Sequence, residues 1–284
     1  MSHSHTPLAQ LERIVLEVPD PQATAQFLQE GFDFEIAQHD EGLLVLCEGV
    51  YAAPHGQGAI ELLAGDQLKV QKLAFALPDD VELGDVAALV EGKQTSDSAV
   101  EVVDPSSHVV VSLELAQTLR VDVPAYSDVR PNRMGHVNLK SPKPKETAEF
   151  FQHRMKLLLS EYINEELFWL RTPTEHHNVA LRPGEPETPH HLGMEIPGWQ
   201  SYPALLNRLD RYNYKVEYGP GRHRPGGSYF AYVCDPASGL RIELFAEMAQ
   251  IEDPSTPPIG WKPEDRLTET LNIWGPRPPQ SFLD

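Results

Sequence analysis

Cysteine, positive charge and long apolar runs are all scarce in this chain of 284 residues, and each scarcity excludes a class of function. Cysteine occurs twice, at Cys47 and Cys234. Two distant thiols without CxxC spacing build no disulfide framework, which suits a reducing cytoplasm. Lys and Arg number 23 against 42 Asp and Glu, for a formal net charge of −19. Phosphate backbones and anionic lipid surfaces are held by Lys and Arg, so neither nucleic acid nor a membrane surface is expected as a partner. The acidic excess is read as a source of solubility. No apolar stretch approaches the roughly 18–20 residues of a membrane span. The opening MSHSHTPLAQ lacks the basic-then-apolar order of a secretory signal, and a cytoplasmic location is expected. His3 and His5 lie there and are set aside as ligands, because a chain end holds no rigid site.

What the chain does have is an internal repeat. Residues 13–28, RIVLEVPDPQATAQFL, echo residues 136–151, HVNLKSPKPKETAEFF. Pro19 falls on Pro142, Pro21 on Pro144, Ala25 on Ala148 and Phe27 on Phe150, at one constant offset. QKLAFALP, ending at Pro78, echoes HHLGMEIP, ending at Pro197, and Asp104-Pro105 echoes Asp235-Pro236. Each block reads as a strand, a proline-punctuated turn and a helix, followed by further strands. Two halves result, 8–122 and 131–250, joined by the linker 123–132 and followed by a proline-rich tail, 251–284. The expected fold class is α+β, with two tandem domains of paired βαβββ units whose curved mixed sheets enclose a cavity.

Three strands of the second half each offer a metal-ligand type. Side chains alternate faces along a strand. Val137 and Leu139 oppose His136 and Asn138. Leu192, Met194 and Ile196 oppose His191. Leu240, Ile242 and Leu244 oppose Glu243. If the apolar stripes pack on helices, His136, His191 and Glu243 face the concavity. Two imidazoles and one carboxylate form the facial triad of non-haem Fe(II) oxygen chemistry, although Mn(II) and Zn(II) accept the same donors. With 12 histidines in the chain, such a triple is also easy to assemble by chance. The repeat supplies a control. The matching first-half positions are Arg13, Lys72 and Ser112, and protonated Arg and Lys cannot ligate a metal. One metal site is therefore expected, in the second half.

Several longer motifs resemble a known family. GHVNL at 135–139, FWL at 168–170, HNVAL at 177–181, HHLGMEI at 190–196, YGPGRH at 218–223 and YFAYVCDPASGLRIELF at 229–245 look like the catalytic half of type I extradiol dioxygenases, within the vicinal-oxygen-chelate superfamily. The homoprotocatechuate and catechol 2,3-dioxygenases are the nearest types. The likeness covers about 131–275, including Trp261 and Trp274-Gly275 of the tail, and the first half is similar to the family's metal-free N-terminal domain. The resemblance implies Fe(II), or Mn(II), on His136, His191 and Glu243. It implies His177 as the acid–base histidine near the O2 position, and His223 and Tyr232 as hydrogen-bonding groups around the catechol. Asn138 matches a position on the O2 side, and Trp169 an aromatic wall. Tyr218 and Arg222 are also expected among substrate-binding residues. In the adjacent pair the motif selects His177 over His176, and spacing from His223 selects Tyr232 over Tyr229. His190, on the apolar parity, is expected to pack.

The chain departs from the family in two ways. DPASGLRIE places one more residue between Tyr232 and Glu243 than the usual turn, which is expected to bulge without changing strand register. Tyr218, and Thr270 and Leu271, stand where the homoprotocatechuate type carries arginines for a substrate carboxylate, so a catechol without that side chain is expected. The implied reaction joins a catechol and O2 into a muconic-semialdehyde-type product, in a homo-oligomer, tetramer or dimer. The competing expectations are another metal enzyme on the scaffold, of hydroquinone-dioxygenase or glyoxalase-like type, or a metal-free protein that binds an aromatic ligand.

Overall fold

The computed structural model describes residues 11–39, 42–46, 59–78, 81–115, 130–172, 174–262, 264 and 270–283. His3, His5, Cys47 and the linker up to residue 129 lie outside them.

The first half forms an eight-stranded sheet: β1 (Leu11–Val18), β2 (Glu35–His39), β3 (Gly42–Leu46), β4 (Ala59–Ala64), β5 (Lys69–Leu77), β6 (Lys93–Gln94), β7 (Ala99–Val103) and β8 (Val110–Leu115), in the order β2-β3-β4-β1-β5-β8-β7-β6. The second half forms a nine-stranded sheet: β9 (Arg133–Ser141), β10 (Leu158–Ile163), β11 (Leu167–Arg171), β12 (Val179–Pro183), β13 (Pro189–Glu195), β14 (Val216–Arg222), β15 (Tyr229–Cys234), β16 (Arg241–Ala246) and β17 (Ile259–Trp261). Its order, read from the tail strand, is β17-β10-β11-β12-β9-β13-β16-β15-β14. Without β17, this is the first sheet's topology over again. Each sheet joins two βαβββ units, with α1 (Pro21–Phe32), α2 (Leu83–Val90), α3 (Pro144–His153) and α4 (Tyr202–Arg211) as the unit helices. A short helix, α5 (Gln280–Leu283), follows in the tail. The fold class is the expected α+β.

Local chemistry sets the repeated turns. Asp20 caps α1 by accepting from Ala23 N at 3.0 Å, with Pro21 in the first turn. Pro144 likewise stands in the first turn of α3, without a side-chain cap. The helices cover the apolar stripes read from the sequence: Val137, Leu139, Leu192, Met194, Ile196, Leu240, Ile242 and Leu244 all lie in the core.

The halves dock reciprocally. Thr24 on α1 donates to Asp235 of the second half at 2.7 Å, and Thr147 on α3 donates to Asp104 of the first at 2.9 Å. Thr24 and Thr147 are repeat mates, as are Asp104 and Asp235. Each aspartate also closes its own turn, Asp104 N to Val109 O and Asp235 N to Leu240 O. The turn after Tyr232 therefore has its exact length twin in the first half. It leaves β15 and β16 in unbroken register, with Tyr232 opposite Glu243. No bulge forms in the strands there. Gly239, at φ 77°, absorbs the reversal.

Candidate metal centre

The central strands β9, β13 and β16 carry the candidate ligands. Gly193 on β13 pairs with His136 on one side and Glu243 on the other, and His191 pairs with Asn138. The three side chains leave the core and converge. His136 Nε2 lies 3.2 Å from His191 Nε2 and 3.0 Å from Glu243 Oε2, and His191 Nε2 lies 3.0 Å from the same oxygen. All three residues are buried.

This triangle has the dimensions of a metal face. Donors about 2.1 Å from an ion and at right angles to one another stand about 3.0 Å apart. Two ring nitrogens and a carboxylate oxygen at that spacing place three lone pairs on one point, which a cation satisfies. The electrostatics agree. Burial holds the His191 ring at a pKa of about 4, so its lone pair is free at neutral pH. Burial works to raise the Glu243 carboxyl, but the facing rings of His136, His191 and His223 outweigh it and hold the group well below the usual carboxylate range.

The first half carries no such arrangement at its equivalent registers. Arg13 and Ser112 both face Ala74, and Lys72 sits where His191 does. Arg13 turns to Glu61 at 2.8 Å and Glu114 at 2.9 Å, and Lys72 to Glu101.

Gly193 is a site residue that the sequence reading missed. A Cβ there would lie 2.1 Å from Cε1 of His136. The signal was available: a glycine inside a strand marks close approach of another group. Gly193→Ala is expected to displace the His136 ring and weaken metal binding by about 10-fold or more while the sheet still folds. Metal titration beside circular dichroism checks this. Wild-type affinity would remove the steric role.

Around the triangle, the structure brings Asn138, Trp169, His177, His223 and Tyr232 to the pocket wall with His191 and Glu243. The His177 ring lies 4.4 Å from that of His136. Burial, then the neighbouring His136 and His176 rings, keep its pKa well below the ordinary imidazole value. His223 Nδ1 donates to the Leu271 carbonyl at 2.7 Å, and its Nε2 stands 2.9 Å from the Tyr232 hydroxyl. Burial and the Glu243 charge raise Tyr232 well above the phenol value, so it stays a neutral donor.

Three expectations need correction. Tyr218 does not line the pocket. It stacks behind Tyr232 at 6.1 Å, and its hydroxyl donates to Pro276 O at 3.4 Å. Arg222 also stays away. Strand alternation sends it opposite to His223, where it donates to Gly227 O at 3.0 Å and lies 4.8 Å over the Tyr229 ring. His190 does more than pack. A register shift beside it places its Nδ1 2.7 Å from His191 Nδ1 and its Nε2 2.8 Å from Phe282 O, and it joins the pocket wall.

The tail completes the wall with Thr270, Leu271, Phe282 and Leu283. Arg182 holds it by donating to Phe282 O at 3.2 Å and Leu283 O at 2.5 Å, and Arg241 by donating to Ser281 O at 2.9 Å. These anchors bridge about 100 residues of sequence or less, and no motif announces them.

Two sheets of paired βαβββ units, the second carrying a triangle of three candidate metal donors, define a protein of the vicinal-oxygen-chelate fold. Residues 133–244 match the Glyoxalase/Bleomycin resistance protein/Dioxygenase superfamily, and the chain carries a domain of that superfamily there. A manganese-dependent 2,3-dihydroxybiphenyl 1,2-dioxygenase of Geobacillus genomosp. 3 is 33% identical over 54% of this chain and 51% of its own length. The chain thus spans about half of that relative. Metapyrocatechase 2 of Cupriavidus necator is 26% identical over 96% of this chain and 91% of its own. Among solved structures, the Mn(II)-bound glyoxalase from Novosphingobium aromaticivorans superposes with a TM-score of 0.81 at 19% identity, covering 97% of this chain and 94% of that one. Homoprotocatechuate 2,3-dioxygenase from Brevibacterium fuscum, in complex with 3,4-dihydroxyphenylacetate, gives 0.80 at 18% identity, covering 98% and 92%. At these identities the structures bear on fold alone. Among the described residues no helix is long and apolar enough to cross a membrane.

Proposed function

We propose that this protein cleaves a catechol-type diol beside its hydroxyl pair with O2, at a single Fe(II) held by His136, His191 and Glu243, giving a muconic-semialdehyde-type product. The observation that carries this reading is the triangle of donor atoms 3.0–3.2 Å apart, with His177, His223 and Tyr232 around it. Bound iron would supply a centre that accepts both diol oxygens and O2, with three positions left free by a three-residue ligand set.

The chain's own groups do the rest. His223 and Tyr232 orient the ring, and Tyr232, together with His223 once its Nε2 carries a proton, donates to developing oxyanions. His177 moves a proton at its pocket-facing nitrogen, to the oxygen being reduced. Trp169, Leu167 and Leu181 present apolar surface to the ring, and Asn138 a polar group beside the O2 position. The tail, 251–284, covers the pocket, and the first half, 8–122, serves as a metal-free scaffold for the catalytic half, 131–250. A reducing cytoplasm suits the ferrous ion and the free Cys234 thiol, and catechol and O2 are the partners of a homo-oligomer.

The test is anaerobic loading with Fe(II), then O2 with a panel of catechols, following the yellow ring-fission product. Fe(II) protein that opens no catechol would overturn the reading. Within the panel, neutral catechols are expected to give kcat/KM about 10-fold or more above homoprotocatechuate, because no arginine stands at position 218, 270 or 271 to pair with a carboxylate. Equal or reversed ratios would refute that preference. The Mn(II)-dependent relative and the Mn(II)-bound glyoxalase favour a second reading, a manganese enzyme on the same ligands, so an Mn(II)-loaded sample belongs in the panel.

A further inference from the structure

Behind His177 lies a buried polar chain that the proposed mechanism does not use. His177 Nδ1 is 3.0 Å from His176 Nδ1. On its far side, His176 Nε2 is 3.0 Å from Glu161 Oε1. Glu161 also receives Gly226 N–H on Oε1 at 3.3 Å and the Trp261 indole N–H on Oε2. His176 and Glu161 are 2% and 6% exposed. The Gly226 backbone closes over the His176 ring so tightly that a Cβ there would stand 2.8 Å from His176 Nδ1. Four segments, β10, the loop before β12, the loop before β15 and tail strand β17, meet to build this chain.

Donor and acceptor logic gives it a direction. Backbone and indole N–H groups only donate, so Glu161 accepts on both oxygens. His176 must then carry its proton on Nε2 to face Oε1. That leaves Nδ1 of a neutral His176 as an acceptor, and it can only accept from Nδ1–H of His177. The pocket nitrogen of His177, Nε2, is then bare.

We infer that Glu161 and His176 are positioning residues that fix His177 as its Nδ1–H tautomer, with Nε2 bare toward the pocket and Trp261 of the tail clamping the carboxylate. For a neutral His176 the tautomer follows from the hydrogen-bond geometry, and only its kinetic consequence rests on the function proposed above.

Two measurements on the full chain test it. In protein loaded with diamagnetic Zn(II) and labelled with 15N-histidine, the His177 ring, assigned by comparison with His177→Ala, is expected to show Nδ1–H and an unprotonated Nε2. The Nε2–H form would overturn the inference, since a doubly protonated His176 would reverse the last link. In the iron-loaded enzyme, His176→Leu removes the acceptor, and kcat is expected to fall about 10- to 100-fold with the catechol KM within about 2-fold. His176→Asn places Oδ1 where Nδ1 stood and is expected to keep kcat within about 3-fold of wild type. Equal kcat values for the Leu and Asn variants would also overturn the inference. If His176→Leu does not fold, the tautomer in the wild-type protein decides alone. Absence of ring opening in every form would sink the proposed function and leave the tautomer measurement standing.

Discussion

His177→Ala is expected to bind metal like the wild type and to open catechol rings about 10²- to 10⁴-fold more slowly, the range by which a positioned proton donor accelerates a reaction. The two halves of that expectation come from separate observations. His177 contributes no atom to the donor triangle of His136, His191 and Glu243. It nevertheless lies on the same pocket wall, 4.4 Å from the His136 ring, and burial keeps it neutral and able to accept and return a proton. Alanine removes that capacity without touching the ligands. Metal content per chain, kcat and catechol KM together check the result. Bound metal with an unchanged KM and a collapsed kcat is expected, and near-normal turnover would take His177 out of the mechanism.

His136→Ala is expected to cost the metal itself. Two donors remain of three, and affinity should fall by more than about 100-fold, beyond the loss typical of residues that only support a ligand. Glu243 would also lose the first of the rings that offset its burial, so its carboxylate would become easier to protonate. The thermal midpoint gives a second readout. Metal that binds only the native state stabilises it by mass action. A chelator should therefore lower the midpoint of the wild type and leave that of the variant unmoved. Full iron occupancy in His136→Ala would refute the ligand assignment. The wild type should take up one ion per chain, because Arg13, Lys72 and Ser112 stand at the equivalent first-half registers.

Much of this is legible in the sequence. Strand period and helix starts are local properties, and a repeat doubles their signal. The alternation in HVNL, HHLGMEI and LRIELF placed three polar side chains opposite three apolar stripes, and those stripes are core. Proline and aspartate positions marked turns that recur in both halves. The register control was readable for the same reason: the three echoes, each at its own offset, map His136, His191 and Glu243 onto Arg13, Lys72 and Ser112, and strand pairing maps them identically.

The tertiary structure alone decided matters that depend on contacts distant in sequence. It chose between neighbouring histidines, where alternation offers both faces, by placing His177 at the wall and tying His176 to Glu161. A register shift beside His190, invisible in the pattern, turned an expected packing residue into a support for His191. It turned Tyr218 and Arg222 away from the pocket and brought in Phe282 and Leu283 through arginines on β12 and β16. It made Gly193 obligatory, because a ring from the adjacent strand occupies the space of its missing side chain. The sequence by itself determined the repeat, the buried faces and the kinds of ligand each strand offers, since these follow from period and residue type. Which atoms meet at 3.0 Å was decided by twist, register and the path of the tail, which only the folded chain possesses.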